Sequence, residues 1–367
     1  MSTDVETFRD IIELVESVPH SVDNVAILVS QLNQSEGAGN VAIRQLEVLV
    51  EAGYDATAFT FDPKASSVSG EVRTIGGSGY LDSGTVSRLK ASFSPVSLVK
   101  YARELSIFDL IIVHQPVLCP IAYTTKLLYG TTTVYYNHHI TEPDEKVGTI
   151  GKIFGHTAYR LILYSSSRLD RVVSVSKYSH REYQKRFGKS GSVIYNQIDH
   201  DLYNQQASGT EIRERYDLGN KPVILFVGRL AQSKNVDKLI QVYNEIVKEY
   251  PETVLLVVGR SERDAYMDQL TRLKRESTGT IIFTGVVPGA DLPKYYAAAT
   301  VYATCSVKEG YNLTIAEAEA CGTPTVAFDI GAHPEVMQNG TLVEKGDYVG
   351  FKDALTGQLS QQNSTDN

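Results

Sequence analysis

The chain has 367 residues, 42% of them hydrophobic and 21% charged, the balance of an ordinary folded protein, which excludes a disordered or collagen-like chain. That length exceeds what one hydrophobic core usually organises and predicts two domains. The 43 acidic residues outnumber 35 basic ones for a net charge of −8, spread without the basic stripe that nucleic-acid binding needs, so nucleic acid is not an expected partner.

Cys119, Cys305 and Cys321 lie far apart with no C-x-x-C spacing. They predict buried reduced thiols rather than disulfides or a zinc site. The N-terminus MSTDVETFRD carries acids where a secretory signal would carry a basic and then an apolar region. No apolar run approaches the roughly 18 residues of a membrane span. The expected location is the cytoplasm, with peripheral association at the inner membrane face as the closest approach to lipid.

In chain order, residues 1–21 predict a short leading helix. Val/Ile-rich runs then predict strands at Val25–Val29, Asp109–Val113, Thr133–Tyr136, Arg171–Val175 and Val193–Tyr195. Three-to-four spacing of apolar residues predicts helices at Ala42–Ala52, Ile121–Tyr129 and Tyr178–Phe187. Lys64–Ser94 reads as a long mobile insertion. A second series places strands at Val223–Val227, Val254–Val258, Ile281–Thr284, Val301–Thr304 and Thr325–Phe328. Strand-helix alternation implies parallel sheets covered on both faces. We therefore expect an α/β protein of two Rossmann-like doubly wound domains, at 1–200 and 222–367, with a polar linker at 201–221 and a polar, disordered tail from Gln358.

The segment Glu309-Gly-Tyr-Asn-Leu-Thr-Ile-Ala-Glu317 follows an apolar strand and runs into a helix closed by Gly322. Free amides at that helix start, around Asn312, Leu313 and Thr314, favour an anionic group such as a diphosphate. Glu309 would stand just before the helix and Glu317 one turn inside it, so one acid could read a sugar and the other a ribose. The plain alternative is a pair of solvated acids.

In FVGRLAQSKNVDKLI, the strand Val223–Val227 ends at Gly228-Arg229, and Lys234 precedes the next helix. Arg grips phosphate through two donors and Lys adds a point charge, so the two cations could neutralise a departing diphosphate; the alternative is surface charge. In the first half, Gly37 and Gly39 end the loop after the first strand and let backbone approach a ligand. The third glycine of a dinucleotide fingerprint is missing, which disfavours a nicotinamide dehydrogenase. His138 follows a strand at the carboxyl end, where open α/β sheets place ligands, and His139 is its register alternative. His114, at another strand end, would help shape the cleft.

The run EGYNLTIAEAEACGTPTVAFDIGAHPEV closely resembles the E-x7-E donor signature of retaining GT-B glycosyltransferases of family 4, and G-R-L-x-x-x-K matches that family's diphosphate clamp in order and spacing. The resemblance covers roughly residues 25–355. It implies the GT-B fold, with two domains facing across a cleft, and transfer of a sugar from a nucleotide-sugar donor to a glycan, lipid-linked or small-molecule acceptor with retained configuration. No D-x-D pair sits at a strand end and the two cations can do a metal's work, so no metal is expected, and no cofactor besides the nucleotide-sugar donor. Glu309 and His138 would face the sugar, and Arg229 and Lys234 the diphosphate. Gly37, Gly39, Gly228, Arg260, Val286, Asn312, Leu313, Thr314 and Glu317 would bind the donor. Ala38 and Asn40 depart from the family's G-G-x-E loop, Gln197 replaces the glycine of N-G-[VI]-D, and Arg260 stands where a small or acidic residue is usual. The alternatives are a sugar-nucleotide epimerase of the same fold and a non-catalytic sugar-nucleotide-binding protein.

Overall fold

The computed structural model describes residues 9–32, 37–61, 68–75, 92–138, 149–261 and 263–365. The chain forms two compact units, Met1–Gln197 and Ile198–Asn367.

Among the described residues the first unit contains helix α1 (Arg9–Glu16), β1 (Asn24–Val29), α2 (Gly37–Glu51), β2 (Asp55–Thr60), β3 (Glu71–Thr74) and α3 (Pro95–Leu105). It continues through β4 (Leu110–Val113), α4 (Cys119–Tyr129), β5 (Thr132–Asn137), α5 (Thr149–Arg168), β6 (Arg171–Ser174), α6 (Lys177–Phe187) and β7 (Ser192–Val193). Among the described residues the strands form one sheet in the order β3-β2-β1-β4-β5-β6-β7. Every pairing is parallel, as where Ile27 of β1 lies between Ala58 of β2 and Ile112 of β4. Leu110–Val113 is buried at every position, which explains why the strand reads as a continuous apolar run instead of alternating. Leu28, Phe59, Ile111, Val113 and Tyr135 carry one face of the core.

The second unit contains α7 (Thr210–Arg215), β8 (Val223–Val227), α8 (Val236–Ile246), β9 (Val254–Val258), α9 (Asp264–Glu276), β10 (Thr280–Gly285) and α10 (Leu292–Ala298). Then come β11 (Val301–Thr304), α11 (Leu313–Ala320), β12 (Thr325–Phe328), α12 (His333–Val336), β13 (Gly340–Val343) and α13 (Tyr348–Thr365). Its parallel sheet has the order β10-β9-β8-β11-β12-β13, packed around Phe226, Leu255, Val257, Phe328 and Phe351.

Both sheets follow the Rossmann order, two strands outward to one side of the first and the rest to the other. The direction reverses between β1 and β4 in the first unit and between β8 and β11 in the second. Ligands of open α/β sheets bind outside the carboxyl ends of the strands at that reversal.

Several expectations are corrected. The stretch 201–221 is not a bare linker: α7 belongs to the second unit, where Ile212 and Leu218 are buried and Tyr216 Oη lies 3.1 Å from Tyr295 Oη. Within Lys64–Ser94, β3 pairs in parallel with β2, while 64–67 and 76–91 lie outside the described residues. The polar tail from Gln358 continues α13 as far as Thr365. Phe351, Leu355 and Leu359, at four-residue spacing, hold that helix to the core. Of the leading helix expected over 1–21, the described part ends at Glu16, and residues 1–8 lie outside the described residues.

Candidate functional site

In the second unit, three strand-end loops are joined by backbone. Gly228 N–H donates to Val258 O at 3.0 Å, Gly259 N–H to Gly285 O at 2.8 Å, and Leu230 N–H to Arg260 O at 2.9 Å. Gly228 and Gly259 take φ of +148° and +132°, and a Cβ on Gly259 would stand 1.9 Å from Gly228 O. Only glycine permits both that backbone angle and that approach. The result brings Gly228-Arg229, Gly259-Arg260 and Gly285-Val286 together at the carboxyl ends of β8, β9 and β10. Arg229 and Arg260 are exposed, and the Arg229 side chain makes no hydrogen bond or ion pair with the described residues. Val286 is 53% exposed, an apolar surface beside two cations.

Lys234 ends a 3₁₀ turn after β8, and Asn235, at φ +48°, turns the chain into α8. Val307 N–H donates to Ser233 O at 3.0 Å, tying this turn to the loop after β11. There Lys234 Nζ is ion-paired and hydrogen-bonded with Glu309 Oε1. Burial pushes the Glu309 carboxyl up, but the Lys234 charge and hydrogen bond outweigh it and hold the group below its ordinary range. On the other side, a Cβ on Gly331 would stand 2.2 Å from Glu309 O, and Ala332 N–H donates to the same oxygen at 3.3 Å. Glu309 is therefore fixed by backbone as well as by charge.

Asn312 caps α11 in the left-handed region, at φ +84° and ψ +75°. A chain of hydrogen bonds holds it there. Phe328 O accepts from His333 Nδ1 at 2.7 Å, so His333 Nε2 is the acceptor for Asn312 Nδ2 at 3.0 Å. Asn312 Oδ1 accepts from Thr314 Oγ1 at 2.7 Å, and Thr314 in turn accepts from Tyr302 Oη at 2.6 Å. His333 is fully buried, which pushes its pKa down and keeps it neutral for this role. Leu313 and Thr314 open the helix, where the first amides have no intrahelical acceptor. Glu317, one turn further, is buried and accepts from Tyr296 Oη at 2.7 Å. Burial raises its pKa to about 7 against the lowering effect of that bond.

In the first unit, α2 starts at Gly37 after β1; Gly37 is exposed, and a Cβ there would meet nothing within 4 Å, whereas Gly39 is buried. Gly39 is therefore enclosed within the unit, whereas Gly37 is open to solvent. His138 follows β5, half-buried, and its imidazole is held down at about 3 by burial. His114, at the end of β4, is fully buried, with Nδ1 2.9 Å from His138 Nε2. His139 lies outside the described residues.

The structure brings Gly228, Arg229, Arg260 and Val286 to one set of strand ends, and Lys234, Glu309, Asn312, Leu313, Thr314 and Glu317 to the segment around α11. His138, Gly37 and Gly39 stand in the first unit. Sequence reading missed Tyr296, Tyr302 and the polar role of His333. Each is an ordinary aromatic or imidazole in an apolar run, whose partner is fixed only by packing.

Residues 221–361 match the family model described as glycosyl transferases group 1, and residues 35–202 match that described as glycosyltransferase family 4. The chain belongs to this glycosyltransferase family. The E-x7-E and G-R-L-x-x-x-K segments both fall inside the first of these matches.

The chain is 31% identical over 202 residues to the GDP-mannose-dependent alpha-(1-6)-phosphatidylinositol monomannoside mannosyltransferase of Mycolicibacterium smegmatis, covering 51% of each. It is 34% identical over 155 residues to O-antigen chain mannosyltransferase B of Escherichia coli, covering 41% of this chain and 39% of that one. The matches thus span about half the length of these curated relatives or less. Among solved structures, Anabaena HepE in complex with UDP-glucose superposes with a TM-score of 0.75 at 20% identity, over 92% of this chain and 91% of that one. WaaG, a glycosyltransferase involved in lipopolysaccharide biosynthesis, gives 0.73 at 14%, over 92% and 91%. Both likenesses concern the fold, which is GT-B: two Rossmann-like units.

Proposed function

We propose that this family member is a retaining glycosyltransferase that moves a hexosyl group from a nucleoside diphosphate sugar to a hydroxyl of a glycan or lipid-linked acceptor. The observation that carries the reading is the assembly of two exposed arginines, the Lys234–Glu309 pair and the start of α11 around the β8/β11 reversal. That is the chemistry a sugar diphosphate demands. Arg229, Lys234 and the Leu313 and Thr314 amides take up charge on the leaving diphosphate as the C1–O bond breaks, an electrostatic form of catalysis. The acceptor oxygen bonds to C1 on the face the diphosphate leaves, and the leaving phosphate oxygen takes the acceptor's proton. Glu309 orients the sugar, Glu317 the ribose, and Arg260 and Val286 border the base.

Donor identity is open between bases, since one relative is named for GDP-mannose and one structural neighbour holds UDP-glucose. No helix among the described residues is long and apolar enough to cross a membrane. A lipid-linked acceptor would accordingly be met at the bilayer surface.

The test is a thermal-shift screen with UDP-, GDP- and ADP-sugars, followed by product analysis with polyol and glycan acceptors. A ligand that binds only the folded state raises its melting temperature. The expected result is one nucleotide series that stabilises the protein, and release of its diphosphate that depends on acceptor. Release of nucleotide with an altered free sugar and no need for acceptor would replace transfer with epimerisation. Failure of every nucleotide sugar to bind would overturn the reading.

A further inference from the structure

In the first unit, Gln45 of α2, His114 after β4 and His138 after β5 form a line of polar side chains. Gln45 Oε1 lies 3.0 Å from His114 Nε2, and His114 Nδ1 lies 2.9 Å from His138 Nε2. Gln45 is 4% exposed and His114 1%, so water cannot substitute for a lost partner, and an unmet bond there is costly. The His114 ring is also stacked on Tyr136, with centroids 5.1 Å apart, which fixes the plane of the imidazole. Burial keeps both imidazoles neutral.

A neutral imidazole has one N–H and one lone pair, so this line has a direction. A carbonyl oxygen only accepts, and Gln45 Oε1 therefore requires the His114 proton on Nε2. His114 Nδ1 is then a lone pair, and the proton between the two rings must come from His138 Nε2. That leaves His138 Nδ1 as a lone pair on a half-buried residue, and no described residue hydrogen-bonds to it.

We propose that Gln45 and His114 are positioning residues that lock His138 as its Nε2–H tautomer, so that His138 presents a hydrogen-bond acceptor, Nδ1, to a substrate hydroxyl. This rests on the reading of His138 as a sugar-facing residue, and it narrows that role. His138 orients and polarises a hydroxyl by accepting its proton's hydrogen bond. The line cannot donate to a substrate oxygen without reversing every bond back to the Gln45 amide.

The test uses the full chain with ¹⁵N-labelled histidine. Long-range ¹H–¹⁵N correlation spectra distinguish the two neutral tautomers, with His138 and His114 assigned from the signals lost in His138→Gln and His114→Leu. The parent should show both rings neutral with the proton on Nε2. In His114→Leu, His138 should redistribute between tautomers. Release of UDP from UDP-glucose and of GDP from GDP-mannose should show kcat falling about tenfold for the accepted donor with KM little changed. His114→Gln, whose amide oxygen can take the same proton, should restore the tautomer and most of the rate. Gln45→Leu, which leaves both rings in place, serves if His114→Leu does not fold, and should give the same redistribution.

A parent spectrum with the His138 proton on Nδ1, or an unchanged tautomer in both His114→Leu and Gln45→Leu, overturns the proposal. A tautomer that redistributes as expected while the rate is unmoved supports the lock and overturns the sugar-facing role of His138.

Discussion

Lys234 and Glu309 stand 75 residues apart in the chain and close an ion pair in the second unit. Their side chains are 22% and 12% exposed, so the pair is largely withdrawn from water and each member depends on the other. Lys234, read from the sequence as a phosphate-binding cation, is also the counter-charge that keeps Glu309 ionised. A diphosphate arriving at Lys234 would compete with Glu309 for the same ammonium.

Removing one member should therefore cost more than removing both. Lys234→Ala is expected to lower stability by about 2 to 4 kcal/mol, because an unpaired carboxylate remains in a buried site. Adding Glu309→Gln should recover part of that loss, and denaturant unfolding of the two variants measures the difference. The pH dependence has a definite sign. The native Glu309 pKa lies below the ordinary 4.5, so its contribution is present at neutral pH and is lost as pH falls through the native value. In Lys234→Ala burial dominates, the pKa rises, and this acid-side loss should disappear.

Arg229 separates binding from folding. Its side chain is exposed, so Arg229→Ala should leave the unfolding free energy within about 0.5 kcal/mol of the parent. Nucleoside diphosphate affinity should fall by about 1.5 to 3 kcal/mol, read by calorimetry. Unchanged affinity would remove Arg229 from the clamp.

Glu317 should trade stability for binding. Its native pKa of about 7 stands above the ordinary 4.5, so the folded state binds more protons between those values and stability falls as pH rises across that window. Glu317→Gln abolishes this slope, and by pH 8 the variant should be more stable relative to the parent than at pH 4, by on the order of 3 kcal/mol. The same variant should bind free nucleoside diphosphate more weakly, by about 1 to 3 kcal/mol. Glu309→Gln should leave that affinity nearly intact and lower transfer.

Asn312 tests the buried hydrogen-bond chain. Asn312→Gly keeps the φ of +84° accessible and loses only the contacts to His333 and Thr314. Asn312→Ala loses the same contacts and adds about 1 to 2 kcal/mol of left-handed strain. The alanine variant should be the less stable of the two by thermal or chemical unfolding, and equal stability would show that the loop relaxes out of this conformation.

The glycines divide by what a methyl would meet. Gly259→Ala places Cβ 1.9 Å from Gly228 O and should displace the Arg229 and Arg260 loops, weakening donor binding along with stability. Gly37→Ala meets nothing within 4 Å and should fold as the parent does. Any loss of donor binding in Gly37→Ala would then report direct approach of a ligand to that backbone.

The sequence by itself determined the repeating strand-helix order and the E-x7-E and G-R-L-x-x-x-K segments that fall inside the family match. Runs such as VILFV at Val223–Val227 and VYAT at Val301–Thr304 are observed strands with those same bounds, because burial on both faces leaves short stretches without the alternation of a half-exposed strand. The strands β2, β3 and β13 were not legible: DATAFT and EVRT are short and mixed in polarity, and GTLV begins on glycine. The tail after Gln358 reads as polar because Leu359 is its single apolar residue, and that one leucine continues the Phe351 and Leu355 stripe onto the core.

Tertiary structure decided the partners. Glu309 finds Lys234 because β11 lies beside β8 in the sheet, although β9 and β10 intervene in the chain. His114 reaches both Gln45 and His138 because β4 lies between β1 and β5. Glu317, an acid on a helix, faces Tyr296 from α10 rather than water, and that burial sets its proton affinity. Propensity and periodicity act over a few neighbouring residues, whereas charge pairing, tautomer and pKa depend on which strand ends the sheet order brings together.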